Sequence, residues 1–177
     1  VNGKKGILDY TAGYTFYGTK GINETVARTS NPTDRDGYTQ NCFQASIGIQ
    51  PSSKFRIQPY LRYTKITGDI DQGAFTDELD YTFSQKNFQT GVKSEIRIGN
   101  TQLNLLYNYN NIERIYTDDS TESRNGFYPY SQGTYKGKEH FAEAYAVFPL
   151  SSSAKLTTGI DYPISNSDQD YLFVTGL

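Results

Sequence analysis

Three acidic groupings are the residues in this chain whose types and spacing suit chemistry: Asp34-x-Asp36-Gly37, then Asp69-x-Asp71-x-Gly73 followed by Asp77, Glu78 and Asp80, then Asp118 and Asp119 with Glu122. Carboxylates at alternate positions beside glycine are the oxygen donors that hard cations such as Ca²⁺ prefer. Asp34, Asp36, Asp69, Asp71, Asp77 and Asp80 are therefore calcium candidates, set against the plainer reading that exposed connections are acidic because they are solvated. No grouping has the full spacing of a calcium loop. A second set is aromatic: Phe75, Phe127, Tyr128, Tyr130 and Tyr135 stand among polar residues. Rings so placed can stack on a ligand at low entropic cost. Loops folding onto one another would use the same residues.

Covalent chemistry finds little in the sequence. His140 is the only histidine and Cys42 the only cysteine, which excludes a multi-histidine metal site, an internal disulfide and a thiolate cluster. A Ser-His-Asp arrangement would rest on one residue inside a strand-like run. No G-x-x-x-x-G-K-[ST] or G-x-G-x-x-G stands at a strand-to-helix junction. Lysine and arginine number 17 against 19 acids, without a basic stripe, so nucleic acid is not an expected partner. The expectation is a binding protein that is not an enzyme and has no resident cofactor beyond a Ca²⁺ in its loops.

The elements that hold these residues alternate with period two, the side-chain repeat of a strand. Leu8, Tyr10, Ala12, Tyr14 and Phe16 fall on one face and Asp9, Thr11, Gly13, Thr15 and Tyr17 on the other. The split recurs in Phe43 to Ile49, in Phe55 to Tyr63, in Phe88 to Ile98 and in Leu103 to Tyr109. It recurs more weakly in Ala142 to Phe148, and again in Leu156 to Tyr162, after which Pro163 should bulge or weaken the strand because it lacks an N–H. Seven runs result. Their connections alternate in length. Pro51 to Lys54, Gly99 to Thr101 and Ser151 to Ala154 are tight turns, while Lys20 to Gly37, Gly68 to Asp80 and Asp118 to Gly137 are long and polar. Outer-membrane barrels have short periplasmic turns and longer outer loops, so the pattern predicts an all-β, antiparallel up-and-down meander of about seven long strands in a transmembrane wall.

Composition agrees with that wall. Sixteen tyrosines and ten phenylalanines, with no tryptophan, supply rings for interfacial girdles, and Tyr14, Phe16, Tyr17, Tyr38, Tyr63, Tyr81, Phe83, Tyr107, Tyr109 and Tyr116 are the candidates near strand ends. Ordinary strand propensity of aromatics would also place them in any sheet. No apolar stretch approaches the ~20 residues of a membrane helix, and no signal peptide opens the sequence. A complete single-chain bacterial barrel has an even strand number with both ends periplasmic. Seven runs that begin at the short-turn side end at the other, so residues 1–177 are expected to be one β-barrel segment from the middle of a larger wall.

Several stretches resemble the barrel of TonB-dependent outer-membrane receptors, most of all vitamin B12 receptor-like members of Bacteroidetes type. They are Gly13-Tyr14-Thr15-Phe16, Asp36 to Asn41 (Asp-Gly-Tyr-Thr-Gln-Asn), Gly68 to Tyr81, Tyr135 to Tyr145, and Gly159-Ile160-Asp161-Tyr162. The likeness runs in order through nearly the whole chain. Two positions depart from it: Pro163, where Arg is expected, and Cys42, where a small polar or apolar residue is usual. The resemblance implies a 22-stranded barrel in the bacterial outer membrane, with a plug domain and a TonB-engaging N-terminal segment outside this stretch. It also implies import of a scarce, bulky nutrient, cobalamin or another corrinoid first and a ferric siderophore second. The implied partners are the TonB complex, the cargo and outer-membrane lipid, and the open edges of an isolated segment would favour self-association. Two further readings stand beside it: a small stand-alone eight-stranded barrel, and a soluble β-sandwich or adhesin-type binding module with strands of ~5 or 6 residues around one buried core.

Overall fold

The computed structural model describes residues 1–23, 35–71, 78–119 and 130–175. They form one antiparallel sheet whose strand order is the chain order, and the described residues include no helix. The strands are β1 (Asn2–Lys5), β2 (Leu8–Thr19), β3 (Tyr38–Ser52), β4 (Phe55–Asp69), β5 (Tyr81–Ile98), β6 (Thr101–Asp118), β7 (Tyr130–Pro149) and β8 (Lys155–Val174). β2 to β8 are the seven expected strands. β1 is additional: its sequence Asn-Gly-Lys-Lys carries no apolar alternation, and it is secured by a two-residue turn in which Gly6 takes φ 60°. A left-handed φ at that place is what tight hairpin turns demand. Gly99, at φ 59°, does the same between β5 and β6.

The connections sort by end. Turns at 6–7, 53–54, 99–100 and 150–154 lie at one end of the sheet, and those at 20–37, 70–80 and 119–129 lie at the other. Two of the long connections are shorter than expected because the strands run further: β4 ends at Asp69 and β7 begins at Tyr130, so Tyr130 and Tyr135 belong to a strand and not to a loop. In the outer part of β7 both faces are largely polar, which removes the alternation that marks a strand.

Pro163 neither bulges nor weakens β8. The β7–β8 register runs without a shift from Tyr130↔Val174 to Pro149↔Lys155 and includes Phe141↔Pro163. β8 has a neighbour on one side only, and an edge strand tolerates a residue without an N–H. Pro59 behaves differently because β4 is internal. Between β3 and β4 the pairing passes from Ser46↔Tyr60 to Ile49↔Ile57 with no bridge at Pro59, and the register then shifts before Ser52↔Phe55.

Following the register from strand to strand shows that the apolar sets of β2 to β8 share one face. Tyr10 leads through Ile47 to the Pro59 position, and on through Val92, Tyr107 and Ala142 to Tyr162. On each strand the apolar stretch covers about nine residues, from Leu8 to Phe16 on β2 and from Leu156 to Ile164 on β8. At about 3.3 Å per residue this is roughly 26 Å, close to the ~25 Å apolar band of an outer-membrane barrel. The row through Leu8 meets β8 at Ile160, four residues above the foot of the band at Leu156. The strands are therefore tilted against the band, as in a barrel wall.

Among the described residues, no hydrophobic kernel lies behind this face. Cys42 is the one buried apolar side chain among the described residues, whereas Tyr14, Phe16, Ile160 and Tyr162 are each more than 60% exposed. A soluble sandwich would bury such side chains. Nor do β1 and β8 pair with each other, so the eight strands do not close on themselves.

The polar face is tied together by links that pass over glycine. Arg56 on β4 donates from Nη1 and Nη2 to Oδ2 and Oδ1 of Asp9 on β2 at 2.6 and 2.9 Å, crossing Gly48 of β3. A Cβ at Gly48 would meet both partners. In the same way the Tyr60 hydroxyl of β4 donates to Asn108 Oδ1 of β6 at 3.0 Å, over Gly91 of β5.

Candidate functional site

At the end with the long connections, the polar faces of β5 to β8 carry a ring-rich hollow. Register builds it in rows: Phe83, Tyr116, Gly133 and Tyr171 lie side by side, and Gln85, Arg114, Tyr135 and Gln169 form the next row toward the short turns. Gly133 and Gly137 flank Tyr135 on β7 and keep the floor low, since a Cβ at Gly137 would crowd Ile112 and one at Gly133 would crowd the Tyr135 ring. The hollow holds about 820 Å³ and is also bounded by Ile70, Asp71, Tyr81, Asp118 and Lys136. That is the size of a site for a large small-molecule ligand.

Tyr116 is the centre of the ring cluster. It meets Tyr135 edge-on at 5.8 Å and lies 6.3 Å from Phe83 and 6.5 Å from Tyr81. These are favourable aromatic separations. The Arg114 guanidinium sits 5.2 Å from the Tyr116 ring and 5.4 Å from Phe83, within cation–π range. Gln169 Nε2 donates to the Tyr135 hydroxyl at 3.4 Å. Partial burial pushes the Tyr81 hydroxyl above its ordinary pKa, and the Asp118 carboxylate opposite it pushes the same way. The arrangement offers ring faces for a flat or apolar surface, with the Arg114 guanidinium and the Gln85 amide beside them.

The carboxylates come together across loops and not within them. Glu78 and Asp80, before β5, meet Asp118 at the end of β6, with one oxygen from each lying within 4.8 Å of the others. Glu78 is only 1% exposed, and its backbone N–H donates to Asp71 Oδ1 at 2.9 Å. The cause is register: Tyr81 pairs with Asp118, and the Asp119 N–H donates to the Asp80 carbonyl at 3.3 Å. Three carboxylates are half the oxygen donors of a six-coordinate cation. Of the six calcium candidates, Asp80 alone belongs to this group. Asp69 and Asp36 are placed elsewhere, around the 35–37 segment, where the Asp69 N–H donates to the Gly37 carbonyl and the Asp36 N–H to the Ile22 carbonyl. Asp71 lines the hollow and receives the Glu78 N–H. Asp34 and Asp77 lie outside the described residues.

Among the aromatic candidates, Tyr135 lines the hollow. Tyr130 is the first residue of β7, and its register, Tyr130↔Val174, puts it on the opposite face. Phe75, Phe127 and Tyr128 lie outside the described residues. The sequence reading did not assign Tyr116, Tyr81, Phe83, Arg114 and Tyr171 to a binding site. Tyr17, Tyr38, Tyr81, Phe83 and Tyr116, expected in the girdle, register on the polar face; Tyr14, Phe16, Tyr63, Tyr107 and Tyr109 register on the apolar one. Extending the period-two count from the apolar band into the polar outer halves would have separated the two groups.

His140 stands at the rim of the apolar face. Its Nδ1 shares a 2.8 Å hydrogen bond with the Tyr107 hydroxyl, and its ring lies 4.9 Å from Tyr109. The Thr64 hydroxyl donates to Cys42 Sγ at 3.5 Å on the polar face. Comparison with protein-family models, curated proteins and solved structures returned no match.

Proposed function

We propose that this sheet is part of the wall of a TonB-dependent receptor in the bacterial outer membrane, which binds a scarce, bulky nutrient at the ring-rich hollow and passes it inward. The observation that carries the reading is the apolar band. Seven neighbouring strands each carry an apolar-face stretch about nine residues long in one register, backed by a polar face and ended by short turns on one side and long connections on the other. Lipid rewards the apolar face and water the other.

The open edges argue for more strands. β8 is exposed along all of its 20 residues, and in hydrocarbon each unpaired backbone group costs several kcal/mol. An edge crossing the band with every second residue unpaired on its outer side would carry tens of kcal/mol. A wall lying in lipid must therefore continue past β8 at one edge and past the short β1 at the other, and the 22-stranded barrel of the family it resembles is one such closure.

For cargo, a corrinoid is favoured by the resemblance and accommodated by the size and flat ring faces of the hollow. Arg114 at the same hollow favours an anionic ferric siderophore as the second reading. The test is equilibrium binding of cyanocobalamin by the intact receptor, with a ferric siderophore in parallel. Replacing Tyr116 by Ala removes its ring contacts and the Arg114 stacking, expected to weaken binding about ten- to a hundred-fold, or ~1–3 kcal/mol. No saturable cobalamin binding would overturn the corrinoid assignment. Unchanged binding by Tyr116→Ala would remove the hollow as its site.

A further inference from the structure

The apolar face does not end at its aromatic rim. On β4, β5 and β7 the rim residues are Tyr63, Phe88 and His140, and the next side chain on that face, two positions toward the long connections, is lysine each time: Lys65, Lys86 and Lys138. Lys136 follows Lys138 one row further. Two residues of strand rise about 7 Å, and the headgroup zone occupies about the outer 5–7 Å of each leaflet. The ammonium groups thus stand at headgroup depth.

Their charge is not balanced from within. Lys65 and Lys86 are directly opposite partners, an arrangement that costs energy between like charges. Glu113 is the one acid of this row on β4 to β7; it reaches Lys86 at 3.6 Å and lies opposite Lys136. Asp168 on β8 is opposite Lys136 as well. Four cations against two anions remain, all on exposed side chains or at the surface.

We infer that Lys65, Lys86, Lys136 and Lys138 form a belt that binds the phosphate groups of lipids in the leaflet on the long-connection side. The inference rests on the reading of the apolar band as lipid-facing. Phosphate oxygens between Lys65 and Lys86 turn a like-charge contact into a bridged one. The occupant is a membrane lipid because the belt continues the apolar face without a break, so a phosphate held there has its acyl chains against Tyr63 and Phe88.

The test compares partitioning of the intact protein into vesicles of phosphatidylcholine alone and vesicles in which part of it is replaced by phosphatidic acid. Near a membrane surface each lysine contributes about five-fold, the equivalent of about 1 kcal/mol. Lys65→Gln/Lys86→Gln/Lys138→Gln should therefore lower the preference for phosphatidic acid by on the order of a hundred-fold. The Lys→Arg triple should keep it. Lys5→Gln/Lys54→Gln, at the short-turn end, should lose far less than the glutamine triple. Equal loss in those two variants, or no preference in the parent protein, overturns the belt. Failure of the parent protein to enter either vesicle overturns the lipid-facing reading itself.

Discussion

Val92 sits in the middle of the apolar stretch of β5, flanked in its row by Tyr107 on β6 and the Pro59 position on β4. Val92→Arg would put a guanidinium near the centre of the band, where neither β4 nor β6 offers an acid: the neighbouring rows carry Leu61, Thr90 and Tyr109 on one side and Ile57, Ser94 and Leu105 on the other. A lipid-facing arginine at the midplane of a barrel costs ~2–4 kcal/mol. That is a 30- to 1000-fold fall in the folding equilibrium constant, at about 1.4 kcal/mol per tenfold. Asn110→Arg is the matched control on the other face of the same sheet, because Asn110 lies between Gln89 and Glu139. Its charge remains hydrated and has an opposite partner, so it should change stability by less than about 0.5 kcal/mol. The assay is urea unfolding of the intact protein from phosphatidylcholine vesicles, read by protection from protease and by far-UV circular dichroism. If Val92→Arg matches Asn110→Arg, the face carrying Val92 does not contact hydrocarbon, and the membrane assignment falls with it.

Gly48→Ala should disconnect Asp9 from Arg56, because the added methyl would lie 2.4 Å from Arg56 Nη2 and from Asp9 Oδ1. The pair is bidentate but solvated, with side chains 26% and 29% exposed, so the expected effect is a small fall in the urea midpoint. Asp9→Asn should cost much the same, and the double variant little more than either; full additivity in the same unfolding assay would show that Gly48 has a different role. Tyr81 makes a pH prediction. Its hydroxyl titrates above the ordinary tyrosine value in the folded protein, so the unfolded chain loses this proton first. Stability should then fall as pH rises from about 10 toward the raised value, and Tyr81→Phe should flatten that part of the curve. An ultraviolet phenolate titration in which Tyr81→Phe removes a component at or below the ordinary value would refute the assignment.

The antiparallel meander was legible in the sequence where the two faces differ in polarity and opaque where they do not. Leu8 to Phe16 and Phe88 to Ile98 announce themselves because alternate residues are apolar. Tyr130 to Gly137 on β7 lacks that contrast, so the outer part of that strand reads as loop. β1 was missed for the same reason. The acidic site was half legible. Glu78, Asp80 and Asp118 all stand in acidic stretches, but sequence proximity joins Asp80 to Asp69 and Asp71, whereas the β5–β6 register joins it to Asp118. Pairing between strands is long-range information that a single linear pattern does not carry.

On the proposed reading, the aromatic rings mark independently where the membrane boundary would lie. Within the band they favour the apolar face, where Tyr10, Tyr14, Phe16, Phe43, Phe55, Tyr63, Phe88, Tyr107, Tyr109, Phe148 and Tyr162 reside against Tyr60, Phe141 and Tyr145 on the polar one. Beyond the rim the preference inverts. Tyr17, Tyr38, Tyr81, Phe83, Tyr116, Tyr135, Tyr171 and Phe173 are on the polar face, and Tyr130 stands on the other. Strand propensity has no reason to change face partway along a strand. A change of solvent does: inside hydrocarbon an outward ring is stabilised by lipid, while above it an outward ring would meet headgroups and water, and rings are better placed inward against one another, as Tyr116 is against Tyr135. The switch falls between Tyr63 and Gly68 on β4 and between Phe88 and Phe83 on β5, the level at which Lys65 and Lys86 appear. On the proposed reading, binding residues and membrane anchors are drawn from the same residue types, and what distinguishes them is which side of that line they occupy.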